Sequence, residues 1–422
     1  MVESSALSVG ALLLFYPLDT FFRILRVENV YLFPILMKTF LKNLALFLLP
    51  LIALFAPSFI VLFASGEFTS LSTIEELSRG ERTILVGQAY SDFRAEYQLH
   101  ETSVRRPLVM TLGNSRVGEF RAAFFKDPNV FYNTTGATGA LSDYRHFIEQ
   151  LADKPPKIIL ANMNFSFFNP EEAKNLAVER PDPFGAPQPA VYDIVLEAFV
   201  RNGGWWKAYA DYFAGKFTLA DVFTPTKNTV TTIGLRARAD SGGFTNDGSD
   251  YYGNIINYPL NQRETLTEID ALAASITNTS GDEYGSGISS DALAELRKFL
   301  SLCKEKNIVP IGFLPPISHA EYEALQQHPD ASYAYAFKNL GPTLADVYKE
   351  YGFDFYDFSD ILSFGSSDNE MVDRKHGGEK MYLRLFIRMA ENSVSLNSFV
   401  NIPYLKKKLA TATSTYYVFG LQ

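Results

Sequence analysis

The chain has 422 residues, enough for two domains and an appendage. Hydrophobic residues make up 47% of it and charged residues 20%, which supplies a large core and excludes a mainly disordered chain. The net charge of -9 has the wrong sign for binding nucleic-acid phosphates, so no nucleic-acid partner is expected. One cysteine, Cys303, and five scattered histidines exclude an internal disulfide and a cysteine-rich zinc site, and we expect no metal.

Residues 44–64 form an uncharged apolar stretch of 21 residues, about the length of a membrane-spanning helix. Lys38 and Lys42 precede it and Glu67 follows it. Because positive charge flanks the cytoplasmic end of such helices, the rest of the chain is expected outside the cytoplasm. An uncleaved anchor is favoured over a signal peptide, whose apolar core is only about 7–15 residues. We therefore assign residues 1–66 to an N-terminal region with a membrane anchor at about 44–64.

Residues 1–36 allow two interpretations. They contain a short apolar run followed at once by charged residues and a proline. Either they form a second, interfacial helix, or translation starts at Met37, whose following residues are typical of an export signal. The sequence leaves both open.

Beyond the anchor, short apolar runs alternate with amphipathic segments. The runs are typical of buried strands and occupy residues 107–112, 130–132, 157–161, 308–314 and 353–356. Helical spacing of apolar residues predicts helices over 141–151, 291–306 and 379–391. Strands separated by helices predict an α/β fold, a three-layer sandwich with a mostly parallel central sheet.

The α/β domain is predicted over residues 105–395, after a linker and lead-in at 67–104. Residues 396–422 form a tail without a functional signal. A large insertion, at about 166–288, separates the third and fourth strands and is rich in proline, glycine and aromatic residues. Within it, residues 242–249 predict one turn after another. Insertions at the carboxyl ends of such strands usually border the ligand site, so substrate choice is expected to depend on this segment.

Two polar loops contain the candidate chemistry. Ser115 lies in a Gly-Asn-Ser-Arg sequence directly after the first strand, where an exposed hydroxyl at a helix start suits a nucleophile. Helix capping is the commoner role of such a serine. Asp373 and His376, three positions apart after the last strand, can supply a base and the carboxylate that orients it. Because the carboxyl ends of parallel strands share one edge, the two loops together predict a Ser-His-Asp unit.

These motifs, in this order, resemble the sequence blocks of the SGNH/GDSL hydrolase superfamily. The resemblance rests on Gly-Asn-Ser-Arg, the Asn133/Gly136/Gly139 stretch, an asparagine after the third strand, and Asp373-x-x-His376. With the anchor and the sequence Asp-x-x-His-Gly-Gly-Glu, the chain resembles the membrane-anchored branch that includes D-alanyl-lipoteichoic acid transfer proteins and alginate O-acetyltransferase-like proteins. The similarity covers residues 105–165 and 300–392, and it implies the flavodoxin-like SGNH form of the α/β sandwich.

The resemblance also implies an activity. Ser115 would be the nucleophile, His376 the base and Asp373 its orienter, in a serine esterase or O-acyltransferase without a cofactor. Its substrate would be an acylated cell-surface or exported polysaccharide or an acyl donor, and its partners other envelope polysaccharide-synthesis proteins. The alternative is a catalytically silent relative that binds polysaccharide or scaffolds its synthesis or export complex. The sequence leaves open whether water or a sugar accepts the acyl group.

The oxyanion hole implied by the resemblance consists of the Ser115 N–H, the Gly139 N–H and an asparagine amide. The third block departs from the family pattern, because Ala-Asn-Met-Asn-Phe stands where Gly-x-Asn-Asp is usual. Asn164 is favoured as the amide donor, with Asn162 as the alternative. Asn114 replaces the usual aspartate beside the nucleophile.

Five further residues are candidates for substrate binding. Trp205 and Trp206 could stack on sugar rings, although packing within the insertion is favoured. Arg236 could hold an anionic substrate, although a solvated loop arginine is the default. Arg116 adjoins the nucleophile, and His319 follows another predicted strand.

Overall fold

The computed structural model describes residues 32–91, 93–151, 154–170, 189–224, 230–253, 285–327, 334–373 and 375–421. The chain divides into two compact units, Met1–Ile60 and Val61–Gln422. Residues 1–31, which contain most of the ambiguous N-terminal segment, lie outside the described residues, as do parts of the predicted insertion.

Helix α1, Leu32–Ser65, accounts for the described residues of the first unit. Its part from Met37 to Ser65 is the one helix of the described chain that is long and apolar enough to cross a membrane. Large apolar side chains are exposed along it, among them Phe40 at 60% and Phe47 at 66%. The predicted anchor at about 44–64 therefore has the required length and composition.

The second unit alternates strands and helices. Its strands are β1 (Thr83–Val86), β2 (Val109–Leu112), β3 (Phe131–Tyr132), β4 (Ile158–Asn162), β5 (Val230–Ile233), β6 (Gly242–Thr245), β7 (Asp250–Tyr252), β8 (Val309–Leu314) and β9 (Phe355–Asp357). Its helices are α2 (Leu71–Ser78), α3 (Arg94–Arg105), α4 (Leu141–Gln150), α5 (Val191–Val195), α6 (Gly204–Phe213), α7 (Leu219–Phe223), α8 (Leu235–Ala239), α9 (Ser290–Glu305), α10 (His319–Gln327), α11 (Ala334–Tyr351), α12 (Glu379–Asn392), α13 (Val394–Asn397) and α14 (Ile402–Thr411).

Five strands form a parallel sheet in the order β3-β2-β4-β8-β9. Every neighbouring pair is parallel, which confirms the predicted α/β class and parallel sheet. Counted along the chain, the order is 2-1-3-4-5, the order of flavodoxin-like doubly wound sheets.

Alternate residues of the parallel strands contribute to two different apolar clusters. Met110 and Leu112 of β2 belong to one cluster, with residues of α4, α9 and α11. Val109 of the same strand belongs to the other, with residues of α12 and α14. Because both sides of the sheet are buried, the strands read as continuous apolar runs rather than as alternating patterns.

A second sheet, of mixed type, has the order β5-β1-β6-β7. Strand β1 pairs parallel with β5 and antiparallel with β6. Residues 67–104, which the sequence assigns to a linker and lead-in, contribute α2, β1 and α3. The prediction of successive turns over 242–249 was wrong for residues 242–245, which form β6. The physical reason is close backbone approach: a Cβ on Gly243 would lie 2.2 Å from the Val86 carbonyl oxygen, so this strand needs glycine.

Candidate active site

The parallel sheet brings the loops after β2 and β4 to its topological switch point. Strand β2 pairs with β3 on one side and with β4 on the other. The chain therefore adds β3 on one side of β2 and the following strands of this sheet on the other side. Open α/β sheets bind ligands at the carboxyl ends of strands at such a point. Ser115 follows β2, and Asn162 ends β4.

The loop after β2 presents the Ser115 hydroxyl to solvent. Residues 115–117 form a 3₁₀ turn whose N-cap is Asn114, since its Oδ1 accepts the Arg116 N–H at 3.1 Å. The capping role considered for Ser115 therefore belongs to its neighbour, and Ser115 itself is exposed. Gly113 is required at the strand end, because a Cβ there would lie 2.7 Å from the Val117 side chain.

The structure brings Ser115, His376 and Asp373 together. His376 Nε2 lies 2.7 Å from the Ser115 hydroxyl oxygen, although the two residues are 261 positions apart. His376 Nδ1 lies 2.9 and 2.8 Å from the two carboxylate oxygens of Asp373. This is the geometry of a nucleophile, a base and an orienting carboxylate.

Asp373 is held in place by its own loop. Its Oδ1 accepts the backbone N–H of Lys375 and of His376, each at 2.7 Å. Burial alone would raise the pKa of Asp373, but the hydrogen bond and charge of His376 and the two backbone N–H groups lower it below its ordinary value. The carboxylate therefore stays ionised, as needed to stabilise an imidazolium.

Strand β7 of the mixed sheet forms a wall beside the base. The ring of Tyr252 lies 5.8 Å from that of His376, centroid to centroid. The Asp250 N–H donates to the Gly118 carbonyl at 2.8 Å, which attaches β7 to the loop that bears Ser115. Strand β7, which lies in the segment 166–288 expected to border the ligand site, is therefore part of the surroundings of His376. The sequence did not indicate that this strand belongs to a second sheet.

Asn133, from the second resembling block, stabilises the loop that bears Ser115. Its side chain is fully buried, and its Nδ2 donates to the carbonyls of Val117 and Phe120 at 2.7 and 2.9 Å. Its Oδ1 accepts the Thr111 hydroxyl at 2.9 Å. Asn133 thus ties the loop after β2 to the end of β3.

The residues considered for the oxyanion hole besides Ser115 are Gly139 and the two candidate asparagines, and they differ in their surroundings. The Gly139 N–H donates to Asp143 at 2.8 Å, within the first turn of α4. The Asn164 Nδ2 donates to the Ser166 hydroxyl at 3.0 Å. The Asn162 Nδ2 donates to Asn114 Oδ1 at 2.9 Å, directly beside the nucleophile. Asn162, the alternative in the sequence analysis, is therefore hydrogen-bonded to the residue that precedes Ser115.

The candidate substrate-binding residues do not form one group. The Arg116 side chain is buried and donates to the Pro316 carbonyl at 3.4 Å. His319 starts α10, where its N–H donates to Asp368 at 2.6 Å. Trp205 and Trp206 lie on α6, Trp206 being 48% exposed. Arg236 lies in the wall of a separate cavity.

Glu379, the last residue of the Asp-x-x-His-Gly-Gly-Glu motif and the first of α12, was given no role by the sequence analysis. Its carboxylate is buried and accepts the N–H groups of Val418, Phe419 and Gly420 at 2.9, 2.7 and 3.1 Å. The tail is thereby bound next to the loop that bears His376. A glutamate directly after a predicted catalytic loop and at a helix start was the available signal.

Comparison with known proteins gives no match: neither a protein-family model nor a curated protein matches the chain. The functional argument therefore depends on the geometry of Ser115, His376 and Asp373 and on the surroundings described above.

Proposed function

We propose that the protein is a membrane-anchored serine esterase or O-acyltransferase, of SGNH type and three-layer architecture, that acts outside the cytoplasm on acylated polysaccharide. The observation that carries the proposal is the hydrogen-bonded series Ser115–His376–Asp373, with distances of 2.7 Å and 2.8 Å. The choice of polysaccharide as substrate rests on the sequence resemblance alone.

The geometry supports a two-step acyl transfer. The Ser115 Oγ attacks the ester carbonyl carbon while His376 Nε2 takes the hydroxyl proton, and Asp373 stabilises the imidazolium. The tetrahedral intermediate collapses, the C–O bond to the leaving alcohol breaks, and the imidazolium returns the proton to that oxygen. Water or a sugar hydroxyl then attacks the acyl-enzyme carbonyl and loses its proton to Nε2. The acyl C–O bond to Ser115 breaks, and the imidazolium returns the proton to the Ser115 Oγ.

The oxyanion needs two or more hydrogen-bond donors near Ser115. The N–H groups at the start of a helical turn have no intrahelical partner, which makes the Ser115 N–H one candidate. We assign the side-chain amide to Asn162, because its Nδ2 already lies beside Asn114. In this proposal Gly139 donates only if its hydrogen bond to Asp143 opens.

A Ser115 that only caps a helix, with His376 turned away from it, would support the silent-binder alternative. The 2.7 Å separation of Nε2 and Oγ gives that alternative no support.

Labelling with a serine-reactive fluorophosphonate tests the proposal. We expect labelling of the full chain at Ser115, identified by peptide mass spectrometry, and its loss in Ser115→Ala and in His376→Ala. Ser103→Ala, which changes a half-buried serine of α3, is the matched control and should label like the wild type. Labelling that persists in Ser115→Ala, or an unlabelled wild type, would overturn the serine mechanism.

A further inference from the structure

A second concave site lies at the mixed sheet. It encloses about 700 Å³, within the range of about 300–1,000 Å³ of ligand cavities. Its wall contains Val86, which ends β1, the following residues 87–90, and residues 235–236, after β5. Since β1 and β5 are parallel neighbours, the cavity lies where the carboxyl ends of two parallel strands meet. This is the ordinary place for a ligand in an open α/β sheet.

The cavity wall is fixed without a ligand. The buried carboxylate of Glu67 accepts the N–H of Ala89 at 2.7 Å and that of Tyr90 at 3.3 Å. The same carboxylate accepts the Leu235 N–H at 2.8 Å, so one side chain joins the loops after β1 and β5. A preformed wall spares a ligand the entropy of ordering it.

The described residues that line the cavity carry more positive than negative charge. The cations are Arg94, Lys207, Lys216 and Arg236, and the acids are Asp211 and Asp240. Lys216 lies 2.7 Å from Asp211, and Arg94 lies 2.8 Å from Asp250, which is outside the lining. Lys207 and Arg236 then remain with one further acid, Asp240, so the lining keeps a small excess of positive charge. This excess favours an anionic ligand, in a chain whose net charge is -9.

The uncharged part of the lining fits a sugar ring. Tyr90, Phe93 and Phe244 supply aromatic surface for the apolar face of a ring. Ser91 also lines the cavity; it is 4% exposed, and its hydroxyl has no hydrogen-bond partner among the described residues. A buried hydroxyl of this kind ordinarily has a partner, and a sugar hydroxyl would supply one.

The cavity shares structure with the catalytic site. Arg94 and Gly136 line it, and Arg94 pairs with Asp250 of β7. Two residues further along β7, Tyr252 lies beside the imidazole of His376. A ligand at Arg94 is therefore connected to the strand that flanks His376 through the Arg94–Asp250 ion pair.

We propose that this cavity binds an acidic sugar residue of the substrate, with its acid group at Arg236 and Lys207 and its ring against the aromatic side chains. That the ligand belongs to the substrate rests on the proposed esterase or acyltransferase function. Binding of an acidic sugar does not depend on that function, and it can be measured in a variant that cannot turn over a substrate.

Calorimetry on the full-length Ser115→Ala chain in detergent tests the proposal. We expect trigalacturonic acid or glucose 6-phosphate to bind, according to whether the acid is a carboxylate or a phosphate. Two compounds are controls: the methyl ester of trigalacturonic acid, which lacks the charge, and inorganic phosphate, which lacks the sugar. Each should bind at least about tenfold more weakly than whichever of the two sugar acids binds more tightly. Equal binding of the neutral ester would overturn the anionic class, and equal binding of inorganic phosphate would overturn the sugar. Absence of binding by both sugar acids would overturn the proposal.

Two variants locate the binding. Arg236→Ala removes an exposed cation from the cavity wall and should lower the affinity for the sugar acid by about tenfold or more. Arg297→Ala, which removes an arginine with a 42% exposed side chain from α9, is the control and should leave binding unchanged. Equal affinity of Arg236→Ala and wild type would overturn the site. If the sugar acid binds but fluorophosphonate does not label the wild type, the serine mechanism is rejected and the binding site stands. If fluorophosphonate labels the wild type but no sugar acid binds, the binding site is rejected and the serine mechanism stands.

Discussion

The carboxylate of Glu379 accepts the backbone N–H of Phe419 at 2.7 Å, across 40 positions of sequence. Val418 and Gly420 donate to the same carboxylate. Glu379 begins α12, three positions after His376, so the tail is hydrogen-bonded to the end of the base-bearing loop. The tail is therefore a part of the site's support.

Glu379→Gln should weaken this support. The variant loses the charge that strengthens three hydrogen bonds, so the free energy of unfolding should fall by about 1–3 kcal/mol. Turnover should fall with little change in KM, because His376 is less well oriented. Glu391→Gln, at the other end of α12, is the control. Thermal unfolding and steady-state kinetics on an aryl acetate measure both effects. Unchanged values for Glu379→Gln would refute the positioning role.

The contribution of the tail was not visible in the sequence for a physical reason. It acts through backbone N–H groups of Val418, Phe419 and Gly420, which every residue type except proline provides. By contrast, β2, β4 and β8 were predictable because burial on both sides demands continuous apolar runs.

The mixed sheet was hidden for another reason. Its strand β6 contains Gly242 and Gly243, residue types that ordinarily indicate turns. Here glycine serves the close approach of two backbones, which depends on tertiary pairing and leaves no local pattern. More of the candidate active site than of the mixed sheet could be predicted from the sequence. Ser115, Asp373 and His376 are defined by their side-chain chemistry and by their position after predicted strands.

Ser115→Ala, His376→Ala and the double variant should lose similar activity, because the two residues share one proton transfer and act as a unit. Asp373→Asn should fold normally and lose turnover on the order of 10³-fold or more, since an amide cannot stabilise the imidazolium as a carboxylate does. Initial rates on an aryl acetate, with circular dichroism as the folding check, measure these effects. Additive losses in the double variant would show that the serine and the histidine act separately.

Alanine substitution of Asn162, which ends β4, and of Asn164, two residues later, tests the oxyanion assignment. Asn162→Ala should lower turnover on the order of 10²–10³-fold, the effect of one lost oxyanion donor. Asn164→Ala should have a smaller effect, because its amide is hydrogen-bonded to Ser166, whereas that of Asn162 is hydrogen-bonded to the residue beside Ser115. The comparison uses kcat at saturating substrate. A larger loss for Asn164→Ala would return the donor role to the residue favoured by the sequence.

The C-terminal end of α1 should stabilise the second unit. Leu62 is fully buried in an apolar cluster with Phe68 and Ala198. A chain beginning at Val61 should therefore have a higher melting temperature than one beginning at Glu67, which lacks this leucine. Differential scanning fluorimetry measures the difference. Equal melting temperatures would mean that Leu62 adds no stability.

Membrane topology is tested with the full chain. Because Lys38 and Lys42 precede the apolar part of α1, the second unit should be exported. Alkaline phosphatase fused after Gln422 should be active, and a cytoplasm-dependent fluorescent protein at the same position should be dark. The reverse pair of results would place the second unit in the cytoplasm.

Glu119 should make stability depend on pH. It is fully enclosed next to Arg121, and burial raises its pKa from 4.5 to about 8, against the lowering effect of Arg121. The folded chain therefore keeps a proton that the unfolded chain releases above its lower pKa. Stability contributed by this group is present at acidic pH and is lost as the pH rises through about 8.

Glu119→Gln isolates that effect, because glutamine resembles the protonated acid. Wild type and variant should unfold at similar denaturant concentrations at acidic pH. At a pH above 8 the variant should be the more stable, since the wild type loses up to about 1.4 kcal/mol per pH unit over the interval between the two pKa values. Glu149→Gln, which changes a carboxylate with a 42% exposed side chain on α4, is the control and should follow the wild type at both pH values. A wild type that gains stability relative to Glu119→Gln as the pH rises would show that Arg121 keeps Glu119 ionised in the folded chain.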